Sequence, residues 1–210
     1  ISGSERTLKL ENECDPIDYS DVDADGHIVS PIYHEISNDV LKKIKDDSNF
    51  LFIDPQGFLR QKDSDNNIVL QKSNLDLSDV NAIKINPEEG RNIVDGSNDE
   101  MMLALQKKGI EYVLLTNKTD VSLLVKDRVY SLKLPNKNIH DTTGIGDIFC
   151  STFTCTMLKE KDFLWALCFA AGSAQAALES NNVGLQKIPK KGMVENNASY
   201  FYNLVDFRDL

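Results

Sequence analysis

Short apolar runs and longer amphipathic stretches alternate along this chain, and the period of each indicates the element it can form. Strand-like runs lie at residues 7–10, 50–53, 82–85, 112–115 and 121–125. Helix-like stretches lie at 36–45, 99–108, 147–158, 163–178 and 194–204. Strands interleaved with helices predict a layered α/β fold with a mainly parallel sheet, and in such sheets ligands bind at the carboxyl ends of the strands. No internal repeat, low-complexity tract or interdomain linker interrupts the pattern, so one domain is expected.

The most informative turn is Asp141-Thr142-Thr143-Gly144-Ile145-Gly146-Asp147, which runs into Ile148-Phe149-Cys150 and a helix-like stretch. Two glycines let the backbone approach a ligand closely. The N–H groups at a helix start then point at an anion with the positive end of the helix dipole behind them. An acid inside such a turn repels phosphate unless it acts on a substrate, and Asp147 is placed to deprotonate a hydroxyl attacking phosphorus. These residues read as a phosphoryl-transfer site, although two glycines alone also fit a plain helix entry.

The whole string resembles the C-terminal signature of the PfkB, or ribokinase-like, family of carbohydrate and nucleoside kinases. That signature is Asp-Thr, one residue, Gly-Ala-Gly-Asp and a small-residue helix; here Ile145 replaces the alanine and keeps its backbone N–H. The resemblance implies a ribokinase-like three-layer αβα fold and an ATP-dependent transfer to a hydroxyl of a small sugar, polyol or nucleoside. Asp147 would be the base, with the N–H groups of Gly144, Ile145 and Gly146 stabilising the transferring group, and Thr143, Gly144 and Gly146 would also meet the nucleotide.

Other segments extend the resemblance. Asn86-Pro87-Glu88-Glu89 follows the strand-like Ala82-Ile83-Lys84-Ile85 and matches the family's Asn-x-x-Glu element, which implies that Asn86 and Glu89 place Mg2+, largely through water. The same residues also fit a helix cap. Asp54-Pro55-Gln56-Gly57-Phe58-Leu59-Arg60 is similar to the Asp-Pro segment after a central strand, where Arg60 either meets phosphate or pairs with a surface acid. On the nucleotide side the family usually has Thr-x-Gly-x-x-Gly after the strand at 112–115. This chain has no glycine at 117–120, leaving Thr116 and Lys118 as nucleotide contacts. The small residues 170–177 permit close packing near the adenine, and Asn181 falls in the turn that shapes the adenine pocket in relatives.

Composition narrows the partners. The chain has 210 residues, 41% hydrophobic and 27% charged, as an enzyme domain with a real core requires. A net charge of −10 argues against nonspecific nucleic-acid or anionic-membrane binding. No apolar stretch approaches the ~20 residues that span a bilayer, and no signal-peptide pattern occurs, so the expected location is cytoplasmic. Cys14, Cys150, Cys155 and Cys168 form no CxxC pair, and the last three lie in apolar helix-like surroundings; all are expected to be reduced. His27, His34 and His140 have no metal spacing. Asp21-Val22-Asp23-Ala24-Asp25-Gly26 copies half of a calcium loop, but Ile32 stands where the bidentate glutamate belongs, so an acidic turn joining two strands is expected.

The chain opens on Ile1, and residues 6–10 already resemble a mid-chain strand of the family. The resemblance therefore implies that the sugar-contacting acid, the Gly-Gly elements and much of a small β lid lie ahead of Ile1. The expected organisation is a partial kinase domain over 1–210, with lid-adjacent strands and the acidic turn in 1–35, and a homodimer formed through the lid. The alternatives of a different class are a noncatalytic nucleotide-binding or regulatory module and a calcium-binding structural protein.

Overall fold

The computed structural model describes residues 8–135 and 141–210. Residues 6 and 7 and His140 lie outside the described residues. Its central sheet takes the strands β1 (His27–Val29), β2 (Leu51–Ile53), β5 (Ala82–Ile85), β6 (Tyr112–Asn117), β7 (Asp120–Val125), β8 (Arg128–Lys133) and β9 (Asp206–Asp209) in that spatial order. The first four are parallel neighbours, whereas β7, β8 and β9 each pair antiparallel with the strand before them, so five of the seven run in one direction. A second, two-stranded sheet pairs β3 (Arg60–Lys62) with β4 (Ile68–Leu70).

Helices cover both faces, and the two-residue period of the strands decides which face each side chain serves. Phe52, Ala82 and Leu114 point toward α5 (Ile145–Glu160), α6 (Phe163–Leu178) and α7 (Lys191–Tyr202), packing with Phe149, Phe153, Ala170 and Phe201. Leu51, Ile53, Ile83, Val113 and Leu115 point the other way, toward Leu41 of α1 (Asn38–Asp47) and Met101 and Leu105 of α4 (Asn98–Gln106). Two short helices, α2 (Gln56–Leu59) and α3 (Pro87–Arg91), follow β2 and β5 directly. The result is the expected three-layer αβα architecture. Among the described residues no helix is long and apolar enough to cross a membrane.

Several local expectations change. The acidic segment does not join two strands: residues 11–24 carry no regular structure and run into β1. Three-residue strands such as β1 have too few positions for a period to declare itself, and β9 alternates charge with a single aromatic, so neither stands out in the sequence. Lys9 bridges Asn67 antiparallel, with Ile68 N–H donating to Leu8 O at 2.8 Å and Leu10 N–H to Asn66 O at 2.9 Å. The segment at 8–10 thus extends the β3–β4 hairpin instead of entering the central sheet. Cys155 is exposed on α5, while Cys150 and Cys168 are buried thiols as expected.

Candidate active site

β2 and β5 are adjacent parallel strands in register, Phe52 beside Ala82 and Ile53 beside Ile83. The next residues, Asp54 and Lys84, therefore emerge together at the carboxyl end, on the face covered by α5. Lys84 Nζ lies 2.5 Å from Asp54 Oδ2, and the two residues are only 8% and 4% exposed. Burial disfavours the ammonium, but the charges of Asp54 and Glu89 and the hydrogen bond to Asp54 outweigh it and hold Lys84 above its ordinary pKa. Asp54 also accepts from Gln56 N–H at 3.2 Å, which fixes the turn into α2.

The start of α5 lies over this pair. Gly144 is the N-cap with φ 77°, a left-handed conformation that glycine adopts without penalty, and no side chain caps the helix. A Cβ on Gly146 would come within 3.3 Å of Lys84 Nζ, so glycine permits the helix to approach the buried cation. Ile145 N–H reaches Thr142 O at 3.3 Å, which directs one expected anion-hole donor back onto the chain. Among the described residues the N–H groups of Gly146 and Asp147 have no acceptor. Asp147, in the first turn, accepts from Ser30 Oγ at 3.0 Å, which ties the turn to the end of β1.

A cavity of about 750 Å³ opens beside this turn. Thr143, Gly144 and Asp147 form one wall, and Phe169, Leu185 and Ile188 contribute to an apolar one. Lys187, 3% exposed, also lines it and joins Asp141 Oδ2 at 3.1 Å. The Asp141 carboxyl is held well below the usual range, first by hydrogen bonds from the side chain and N–H of Thr143 and then by Lys187.

At β5 the turn is closed on itself. Asn86 Oδ1 accepts from the N–H groups of Glu88 and Glu89, each at 2.8 Å, and Glu89 Oε2 accepts from Asn86 N–H at 2.9 Å, a complete capping box with Pro87 at the first helical position. The helix-cap reading of Asn86 and Glu89 is therefore present in the structure. With its oxygen engaged twice, Asn86 suits a metal held through water better than one held directly. Glu89 is 3% exposed; burial raises its pKa, with Lys84 opposing and Asp54 adding to the rise. Among the described residues no group of three or more His, Cys, Asp and Glu side chains forms a metal cage.

Arg60 does not pair with a surface acid. Its guanidinium donates to Ile32 O at 3.0 Å, and burial lowers its pKa against the opposing charges of Glu89, Asp54 and Glu35. The expected nucleotide contacts Thr116, Lys118 and Asn181 are not brought to the cavity wall. Thr116 Oγ1 donates to Ile85 O at 3.5 Å, Lys118 sits at φ 56° in the hairpin turn between β6 and β7, and Asn181 is exposed beyond α6. Lys118 lies in a two-residue hairpin that folds the chain straight back from β6 into β7, away from the walls of this cavity.

The sequence reading missed Lys84, Asp54, Ser30 and Lys187. Lys84 carried a signal, a cation inside an apolar four-residue strand, and so did Asp54 at the end of an apolar run. Ser30 and Lys187 carried none, because each meets its partner across a long sequence separation.

Comparison with known proteins bears on the fold and the family. None of the curated protein sequences matches the chain. A solved pyrophosphate-dependent myo-inositol-1 kinase converted into a myo-inositol-3 kinase has a TM-score of 0.76 at 19% identity, covering 93% of this chain and 71% of that one. A pyrophosphate-dependent kinase of the ribokinase family, complexed with a pyrophosphate analogue and myo-inositol, has 0.76 at 20%, covering 90% and 70%. The Arabidopsis thaliana ribokinase complexed with ribose and ATP has 0.63 at 20%, covering 81% and 55%. These similarities establish the fold. The sequence pattern of the pfkB family carbohydrate kinases matches residues 10–191, most of the chain, and the chain belongs to that family.

Proposed function

We propose that this protein transfers the γ-phosphoryl group of ATP to a hydroxyl of a small sugar, polyol or nucleoside. The observation that carries the reading is the start of α5: Asp147 and two N–H groups without acceptors among the described residues meet there, over the buried Lys84 and beside an apolar-walled cavity. In this reading Asp147, oriented by Ser30, accepts the acceptor's hydroxyl proton through a carboxylate oxygen. The Gly146 and Asp147 N–H groups, the dipole of α5 and the charge of Lys84 stabilise the transferring phosphoryl group. The apolar wall suits a nucleobase, whose rings need burial more than charge. Asn86 and Glu89 would hold Mg2+ through water, and the ion would supply charge neutralisation on the phosphates. Arg60, at the root of the β3–β4 hairpin, would face the phosphate as that hairpin covers the site and excludes water.

A second donor, pyrophosphate, is favoured by one sequence feature, the absence of glycine at 117–120, where the family usually passes nucleotide phosphates. Pyrophosphate offers nothing to fill the apolar wall, which places ATP first. The test is a panel of ATP and pyrophosphate against sugars, polyols including myo-inositol, and nucleosides, with Mg2+ present. Saturable phosphorylation with ATP is expected. Transfer from pyrophosphate alone would install the second donor, and ATP binding without transfer to any acceptor would leave a noncatalytic nucleotide-binding module.

A further inference from the structure

We infer that the outer edge of β9 is an interface at which a second copy of this chain adds its own β9 antiparallel, about a two-fold axis through Phe207. β9 closes one side of the central sheet, at the opposite edge from β1 and β2, and all of its residues are exposed. Among the described residues no strand pairs with its far side. The inference does not rest on the proposed kinase reading.

The register with β8 fixes which backbone groups face outward. Arg128 stands beside Asp209, Val129 beside Arg208, Tyr130 beside Phe207 and Ser131 beside Asp206. One step further along the same register, Leu210 N–H donates to Asp127 O at 2.9 Å. Hydrogen-bonded and non-bonded pairs alternate along an antiparallel ladder, so Arg208 and Asp206 also turn their N–H and C=O groups toward β8, and Phe207 and Asp209 turn theirs outward. The acceptor of Phe207 N–H agrees with this: it is the Asp206 side chain, Oδ1 at 2.9 Å, and not β8. Such an edge is a template for another strand.

The side chains decide how a second β9 fits. Centred on Asp206 or on Arg208, the pairing sets that residue directly opposite its own copy, and like charges there destabilise a sheet. Centred on Phe207, it joins the outward N–H and C=O groups of the two Phe207 residues. On one face each Asp206 then lies opposite the partner's Arg208, and on the other the two Phe207 rings meet. Phe207 is 59% exposed, with Tyr130 at 6.3 Å and the Arg128 guanidinium 4.9 Å from its ring, so the pairing extends an aromatic contact already begun. Arg208 reaches Asp99 at 2.5 Å, and a guanidinium has donors enough for a second carboxylate. Phe207 N–H exchanges Asp206 for the partner's Phe207, which releases Asp206 to the partner's Arg208. The contact is isologous, as a two-fold dimer requires. One short strand pair buries little area, so the dimer should be weak.

Sedimentation equilibrium of the full chain, taken into the millimolar range, tests this. The parent should show a reversible monomer–dimer equilibrium. Asp206→Arg sets arginine against arginine and Arg208→Asp sets acid against acid, so each alone should stay monomeric. An equimolar mixture of the two should dimerise, because opposite charges then face each other at both positions. Phe207→Pro removes an outward N–H and a ring while sparing the ladder to β8, and should melt near the parent yet stay monomeric. A parent that remains monomeric, a dimer that survives either charge reversal or Phe207→Pro, or a mixture of folded variants that fails to dimerise overturns the inference. If Arg208→Asp does not fold once its contact with Asp99 is lost, Asp206→Arg and Phe207→Pro decide alone, and a dimer in either overturns it.

Discussion

Helices α3 and α5 both begin at the carboxyl edge of the parallel strands, and their first turns use their N–H groups in opposite ways. In α3, Pro87 has no N–H to offer, Asn86 Oδ1 takes those of Glu88 and Glu89, and Asn86 O takes that of Gly90. Nothing is left over for a ligand. In α5 the cap is Gly144, without a side-chain oxygen, and the N–H groups of Gly146 and Asp147 have no acceptor among the described residues. Unpaired donors at a helix start cost stability unless water or an anion meets them. The contrast separates a turn whose N–H groups are used within the fold from one that, in the proposed reading, meets phosphate, and it makes the two turns testable apart.

The largest difference should appear at Asp147. Asp147→Asn keeps the shape and can still accept from Ser30, but cannot take a proton, so kcat should fall by ~100 to 10,000-fold, the usual range for a general base. ATP affinity measured by calorimetry should change little. Parent-like turnover would dissolve the contrast, because α5 would then be only a binding turn.

Next in size is the buried pair beneath α5. Lys84→Met leaves Asp54 buried without its cation, and breaking such a pair by removing one partner costs about 3–5 kcal/mol. Urea denaturation should show that loss, and a Lys84→Met/Asp54→Leu double variant should regain most of it. A loss below about 1 kcal/mol would mean that water reaches the pair, since exposed pairs are worth that little.

The open turn was also the part most legible in the sequence. Asp141 to Asp147 is contiguous, so its glycines, its acid and the helix that follows can be read together. The layers were legible too, because β5, β6 and α6 are long or apolar enough to show their period; α6 fell on the predicted bounds. What could not be read is what the fold brings together. Ser30 meets Asp147 across 117 residues, and Lys84 gains its role only when β2 and β5 pair in register. Thr116 and Lys118, expected at the nucleotide from the resemblance, lie at the end of β6 and in the tight hairpin after it, and neither lines the cavity beside α5.

The closed turn should respond more weakly. Asn86→Ala removes the acceptor of two N–H groups, and loss of such a cap costs about 0.5–2 kcal/mol. Thermal or chemical denaturation should report that loss, while turnover at saturating Mg2+ should stay within about tenfold, below the range expected for the base at Asp147. A drop as large as that of Asp147→Asn would place Asn86 in the chemistry and erase the distinction between the helices.

The smallest effect, and the sharpest separation of the two uses of α3, belongs to Glu89→Gln. Glutamine can still accept from Asn86 N–H, so the capping box survives while the ionisable group is lost. Burial raises the pKa of Glu89 above its ordinary 4.5 in the folded protein, so the folded state binds more protons than the unfolded state between 4.5 and that raised value. Its contribution to stability is therefore full below 4.5 and is lost as pH rises through the folded value. Measured against Glu89→Gln, the parent should become relatively less stable over that interval, by less than the loss of the cap, because Lys84 and Arg60 offset much of the burial cost. A flat difference would show that Glu89 is solvated. The magnesium titration then decides function: a higher midpoint in Glu89→Gln supports the water-mediated site, and superimposed curves leave α3 a capped helix beside the open one.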